Sequence, residues 1–439
     1  MSKDGAGAGD DKVRDRYGLP LTTRLAEAAA LYGKALDRYL ERRDGVAMFA
    51  RQALERDEDF AFAWLLLGLD AQQQGDFGRA GEAMAKVRAL ADRLSERESS
   101  ALATLALIGA APVEQIEQAI SQHLDRWPLD ALVLVQTDAI YGVFDPRADR
   151  IARQLALHEN LRSAYADDWF ILGELAFSYG ESGDYPLSRA TAERALEANS
   201  QNAGAAHAYA HALLEMGEAA RAAEWLAEWL GQWDSPSAGY GSHLVWHEAL
   251  SHFLSGDVAE ATARLDRVID SPPFSALTDG ASLAWRMHLA GDDVMGAAHK
   301  LLAVPRLGNL PFLAAHLAFA LAMAGDGAGL EALAADIAAN PVAGHPDTAG
   351  LVRAIRALAD ADYPQAAHQL EALAPSFRRF GGSFAQTEIF DDTLVHALSS
   401  AGRVAEAGRI LERRIARRST PRDAQWLVAL RAAADGAGA

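Results

Sequence analysis

Phe60-Ala61-Phe62-Ala63-Trp64-Leu65-Leu66-Leu67-Gly68 is followed by Gly75-Asp76-Phe77 and then Ala80. The first stretch has apolar residues at helical spacing and ends in a W-x-x-L-G pattern. The second has the residues of a turn. Glycine tolerates the positive φ that ends a helix, and an acidic or polar residue follows it. The same turn recurs as Gly183-Asp184-Tyr185, Gly217-Glu218, Gly256-Asp257-Val258, Gly291-Asp292, Gly325-Asp326 and Gly402-Arg403-Val404. Ala361-Asp362-Tyr363 is a degenerate copy. From Gly183 onward the spacings are 34, 39, 35, 34, 36 and 41 residues. That is the period of tetratricopeptide-type helix–turn–helix repeats.

The fold class is therefore all-α. A right-handed solenoid of about eleven helical hairpins is expected between Arg24 and Arg417, with a capping helix near Asp423 to Ala434. The expected organisation is a disordered tail over 1–20, one domain over 21–434, and a short disordered tail over 435–439. No single hairpin buries its apolar face, so neighbours must stack.

Composition narrows the function. The chain has 439 residues, 50% of them hydrophobic, and a formal net charge of −19. That balance disfavours nucleic acid and anionic membranes, which reward basic surfaces. There is no cysteine, which excludes disulfides, thiolate zinc sites and cysteine nucleophiles. Met1–Lys12 lacks the apolar core of a signal peptide, and the longest apolar run is too short to span a bilayer. A cytoplasmic protein is the expectation. No Walker A loop, dinucleotide fingerprint or nucleophile elbow is present.

Counting back from each turn glycine, taken as repeat position 15, places side chains on the inner helices. His207 and His211 fall at positions 5 and 9, and His243 and His247 at about 2 and 6. Residues four apart share a helix face, so two H-x-x-x-H pairs should face one groove from adjacent hairpins. The same count puts Ser282, Trp285, Arg286, His316, Asp392 and His396 at or beside groove positions. Tyr209, Trp246 and Trp285 would supply apolar walls, and Gln386 lies in the Gly381-Gly382-Ser383 segment that opens a helix. That segment reads either as an anion site or as a simple Ser383 N-cap.

Three readings of His207, His211, His243 and His247 stay open. They form a divalent metal site, with Glu215 as a carboxylate on the same helix. Alternatively, they form a ligand pocket or metal-free acid/base site. In the third reading they are hydrogen-bonded structural histidines. The leading functional expectation is a small-molecule ligand in a His-rich groove, with hydrolase or lyase chemistry. The alternative is a peptide-binding scaffold, although the chain has only five lysines to grip an extended peptide. An unpaired solenoid end would permit a homodimer. Six scattered histidines, His123, His158, His288, His299, His345 and His368, read as surface or interhelix residues.

The motif order resembles the tetratricopeptide repeat protein 38 family. The residues that carry the resemblance are His207-x3-His211-Ala212 with Glu215-Met216-Gly217, His243-x2-Trp246-His247, and Gly381-Gly382-Ser383-x-Ala385-Gln386-x2-Ile389-Phe390. Leu411-Glu412-Arg413-Arg414 before Pro421 and Trp426 is similar to that family's end. The chain departs from the family at Phe384, where a His is usual, and at Thr387, where an Arg is frequent. The resemblance implies the fold and a groove site, not a reaction.

Overall fold

In the computed structural model, residues 13–233, 240–342 and 344–437 are described. They are all-α, and apart from one isolated bridge between Arg14 and Pro20 no extended pairing occurs among them. The chain divides into two compact units, 1–136 and 137–439, where the repeats suggested one domain over 21–434. The regular hairpin breaks at this division. Only four residues, Ala131–Leu134, are helical before it, and Thr137–Ala139 and a π-helical turn, Ile140–Phe144, follow. Asp145 is extended ahead of Pro146, as the residue before a proline prefers.

The first unit holds three hairpins, Ala26–Leu40 with Val46–Arg56, Ala61–Gln73 with Phe77–Ala89, and Glu96–Leu105 with Val113–Arg126. Gly68 of the quoted stretch is needed for packing, since a Cβ there would lie 3.2 Å from that of Ala83. Residues 13–20, expected in a disordered tail, are placed. Asp15 lies 3.9 Å from buried Arg97, which pairs with Asp130 at 3.0 Å.

The second unit continues with Arg150–Tyr165 and then seven hairpins. Their inner helices are Trp169–Glu181, Ala203–Glu215, Tyr240–Ser255, Ala281–Leu289, Pro311–Met323, Thr348–Ala359 and Phe384–Ser400. The closing helix, Pro421–Ala437, runs past residue 435, where a tail was expected. The described helices thus give three regular hairpins in the first unit and seven in the second, against the about eleven that the repeats imply.

The turn device operates as the sequence suggests. Gly75, Gly183, Gly217, Gly256, Gly291, Gly325 and Gly402 all have φ between 69° and 94°, and Ala361 of the degenerate copy has φ 59°. The carboxylates of Asp76, Asp184, Asp257, Asp326 and Asp362 each accept a hydrogen bond from the backbone N–H three residues on. Ser383 caps its helix in a reciprocal box with Gln386, the simpler of the two readings of that segment.

Two glycines separate backbone strain from crowding. Gly291 (φ +94°) has open space around a would-be Cβ, whereas at Gly382 (φ +90°) that atom would lie 2.7 Å from Phe312. Gly291→Ala should cost about 1 kcal/mol from the left-handed backbone alone. Gly382→Ala should cost about 2–4 kcal/mol, because overpacking adds to the strain. Urea unfolding midpoints of the two variants check the difference.

Candidate functional site

The helix Ala203–Glu215 is buried along its whole length. Asn202 starts it by accepting from the N–H of Ala205 at 3.1 Å, while its side-chain amide donates to the Trp169 carbonyl at 3.0 Å. This ties the helix to the preceding repeat. His207 and His211 project from one of its faces, and His243 and His247 from the neighbouring helix Tyr240–Ser255. The pairing by repeat register is therefore seen in the structure. The site is far more enclosed than an open groove. His207, His211 and His247 are 5%, 3% and 1% exposed, and only His243 is part-exposed.

The Nε2 atoms of His207, His243 and His247 form a near-equilateral triangle. The edges are 3.0 Å (His207–His247), 3.1 Å (His207–His243) and 3.2 Å (His243–His247). The Nε2 of His211 lies 3.0 Å from that of His207. Two of the triangle's three outer nitrogens are held by other groups. His243 Nδ1 lies 2.9 Å from an Asp279 carboxylate oxygen, and His207 Nδ1 lies 2.8 Å from the Tyr240 hydroxyl. Gln386 donates to the other Asp279 oxygen at 3.5 Å. Glu181 comes within 3.7 Å of His211 Nδ1. Phe177 stacks on His207 and Trp246 on His243.

Proton counting constrains this triangle. A carboxylate only accepts, so His243 carries its proton on Nδ1 and turns a bare lone pair toward the other two rings. Each remaining Nε2 is either a donor or an acceptor. Three two-state atoms in a triangle cannot alternate, so neutral imidazoles leave at least one edge with like facing like at about 3 Å. A cation that takes all three lone pairs removes the conflict. With metal–nitrogen bonds of about 2.1 Å, an octahedral face needs edges of about 3.0 Å and a tetrahedral site about 3.4 Å. The observed edges lie between these values. Carboxylate and hydroxyl partners on the outer nitrogens are what a metal-ligating histidine requires of its surroundings.

The electrostatics disfavour a charge on His211 and His247. Burial pushes His211 down to about 3, with His243 adding to the effect. Burial also holds His247 well below the usual imidazole range, helped by His211, His243 and Arg286. Glu181 is pushed up to about 7 by burial, against the pull of Arg378 and Arg150. It accepts from the N–H of Phe384 at 3.1 Å. The helix end that could have taken an external anion therefore holds this carboxylate of the chain itself.

The wider pocket expected around the histidines does not form as one lining. Trp246 and Gln386 join the cluster. Tyr209 turns to the other side of its helix and packs on Trp225. Arg286 contacts Ser282, donates to the Ala385 carbonyl at 2.8 Å and sits 3.4 Å from Asp392, the interhelix role that competes with ligand binding. Asp392 also accepts from Arg414 at 2.6 Å. Glu215 serves Arg418 at 3.1 Å and is no ligand of the cluster. Trp285 donates to Thr393 at 2.9 Å and stacks on Phe319. His396 meets the edge of Tyr363, and His316 is fully buried, its Nδ1 donating to the Phe312 carbonyl at 2.6 Å. The charged positions are consumed by this lattice because each has an opposite charge within reach.

Asp279, Tyr240, Glu181 and Phe177 are the contributors missed by register counting. Asp279 lies in a π-helical turn, Ala276–Gly280, where the count slips. Glu181 had a usable signal, since it stands two residues before Gly183 as Glu215 does before Gly217.

No protein-family model matches the chain. Among solved structures, it is similar to yeast Tom70 at 14% identity, covering 94% of this chain and 88% of that one, with a TM-score of 0.34. Human IFIT1, in a dimer with m7Gppp-AAAA, matches at 13% identity over 92% and 98%, with a TM-score of 0.41. The P58(IPK) TPR domain matches at 12% identity over 86% and 99%, with a TM-score of 0.20. None of these likenesses bears on function.

His316 offers a stability test away from the cluster. Burial lowers it to about 4, below its ordinary 6.5. Its stabilising contribution is complete above pH 6.5 and is lost as pH falls toward 4, because the unfolded chain binds the proton first. Across that window the wild-type stability should fall more steeply than that of His316→Leu. The difference should approach one proton, about 1.4 kcal/mol per pH unit, in urea titrations.

Proposed function

We propose that the second unit binds one divalent transition-metal ion through Nε2 of His207, His243 and His247, and acts on a small molecule by hydrolytic or lyase chemistry. The observation that carries this reading is the lone-pair triangle, which neutral imidazoles cannot satisfy among themselves. Imidazole donors suit zinc first, and also iron, nickel or copper. An ion held by these three imidazoles would supply Lewis-acid activation of water near neutral pH. The chain's own residues prepare that chemistry. Asp279 keeps His243 in its Nδ1–H tautomer, Gln386 steadies Asp279, and Tyr240 orients His207. Phe177 and Trp246 cover two of the rings and limit the water around them.

A second reading rests on His211, whose Nε2 is 3.0 Å from that of His207. If all four histidines ligate, the site is closed and its role is structural. The two readings part at one substitution. Protein purified without a histidine tag should carry about one metal per chain by elemental analysis. His243→Ala and His247→Ala should lower this at least tenfold. His211→Ala should keep the metal within about twofold if the site is open, and should lose it if four histidines ligate. Metal-free wild type whose peptide binding survives His207→Ala would instead favour the scaffold reading.

A further inference from the structure

The second unit also carries a cleft of about 380 Å3 that is separate from the histidines. Its lining includes Glu193, Leu196, Glu197, Tyr209, Trp225 and Trp229. The aromatic part is a connected set, with Tyr209 and Trp225 centroids 4.6 Å apart and Trp225 nearly parallel to Trp229 at 6.2 Å. Trp229 uses its indole N–H on the Ser200 carbonyl at 3.1 Å, which fixes the ring. Tyr209, placed by register among the groove residues, turns out to belong to this cleft.

We infer that this cleft binds a small organic cation, of the quaternary ammonium type. Trp225 is part-exposed, backed by the buried rings of Tyr209 and Trp229, and exposed Glu197 stands on the same lining, so the surface is complementary to a soft positive charge. The chain itself uses this chemistry at the rim, where the Arg189 guanidinium lies 6.0 Å from the Tyr209 ring and pairs with Glu193 at 3.1 Å. Glu197 has no ion-pair partner among the described residues, which leaves its charge for a ligand. The overall charge of −19 draws cations and repels anions. The volume lies in the range of small-molecule sites and is too compact for an extended peptide.

The test uses the full chain and choline as probe, with 3,3-dimethyl-1-butanol as its neutral isostere, by isothermal calorimetry. Choline should bind at one site, at least tenfold tighter than the isostere. Glu197→Gln, a surface change that leaves packing intact, should weaken choline severalfold and leave the isostere unchanged. Trp225→Ala should abolish choline binding, and Trp225→Phe should retain part of it. Equal affinity for both probes, absence of choline binding at millimolar concentration, or binding untouched by both Glu197→Gln and Trp225→Ala would overturn the inference. A trimethyllysine peptide binding more than tenfold tighter than choline would also overturn it, in favour of a protein tail as the occupant.

Discussion

Every part of this molecule depends on one turn. In eight hairpins a turn residue with positive φ, from the Gly75 to the Gly402 copy, ends the inner helix, and in five of them the Asp that follows turns its carboxylate onto a free N–H of the outer helix. The device answers two costs at once. It gives the chain a left-handed residue at little steric cost, since that residue is usually glycine, and it satisfies donors that a helix start leaves without partners. Because the turn recurs at a nearly constant spacing, each inner helix presents the same face as its neighbour. The two histidine pairs meet because their inner helices pack side by side, although they stand at different repeat positions.

This is also why the fold was legible in the sequence. The glycine spacing and the W-x-x-L-G stretch were enough to place the hairpins, and His207, His211, His243 and His247 followed by counting. Counting failed where the helix is irregular. Asp279 sits in a π-helical turn, which shifts the register by a residue, and the division near 136 falls in short helical pieces that carry no repeat signal. Counting also says nothing about what competes for a side chain. Arg286, Asp392 and Glu215 lie on inner helices as expected, yet each is taken by an ion pair.

That lattice of buried charge is a structural element in its own right. Arg414 joins Asp392 and Asp423, and Arg418 joins Glu215 and Glu388. Buried ion pairs of this kind add little net stability, because desolvation offsets most of the attraction. Their effect is selective. An inner helix out of register by one residue would strand a charge in the interior, so the lattice penalises mispacked hairpins more than it rewards the native one. The histidine cluster inherits the accuracy this imposes, since His211 and Glu215 stand one turn apart on the same helix.

The bond between Glu215 and Arg418 spans 203 residues of sequence. A ribosome makes the histidine helix long before it makes the arginine that fastens it. In that interval the imidazoles lie on an unfinished stack, exposed to whatever the surrounding solution holds. Completion of the last hairpin fastens the helix through Glu215, while His243 keeps a part-exposed edge. The fastening of the histidine helix is therefore one of the last steps in the assembly of the fold.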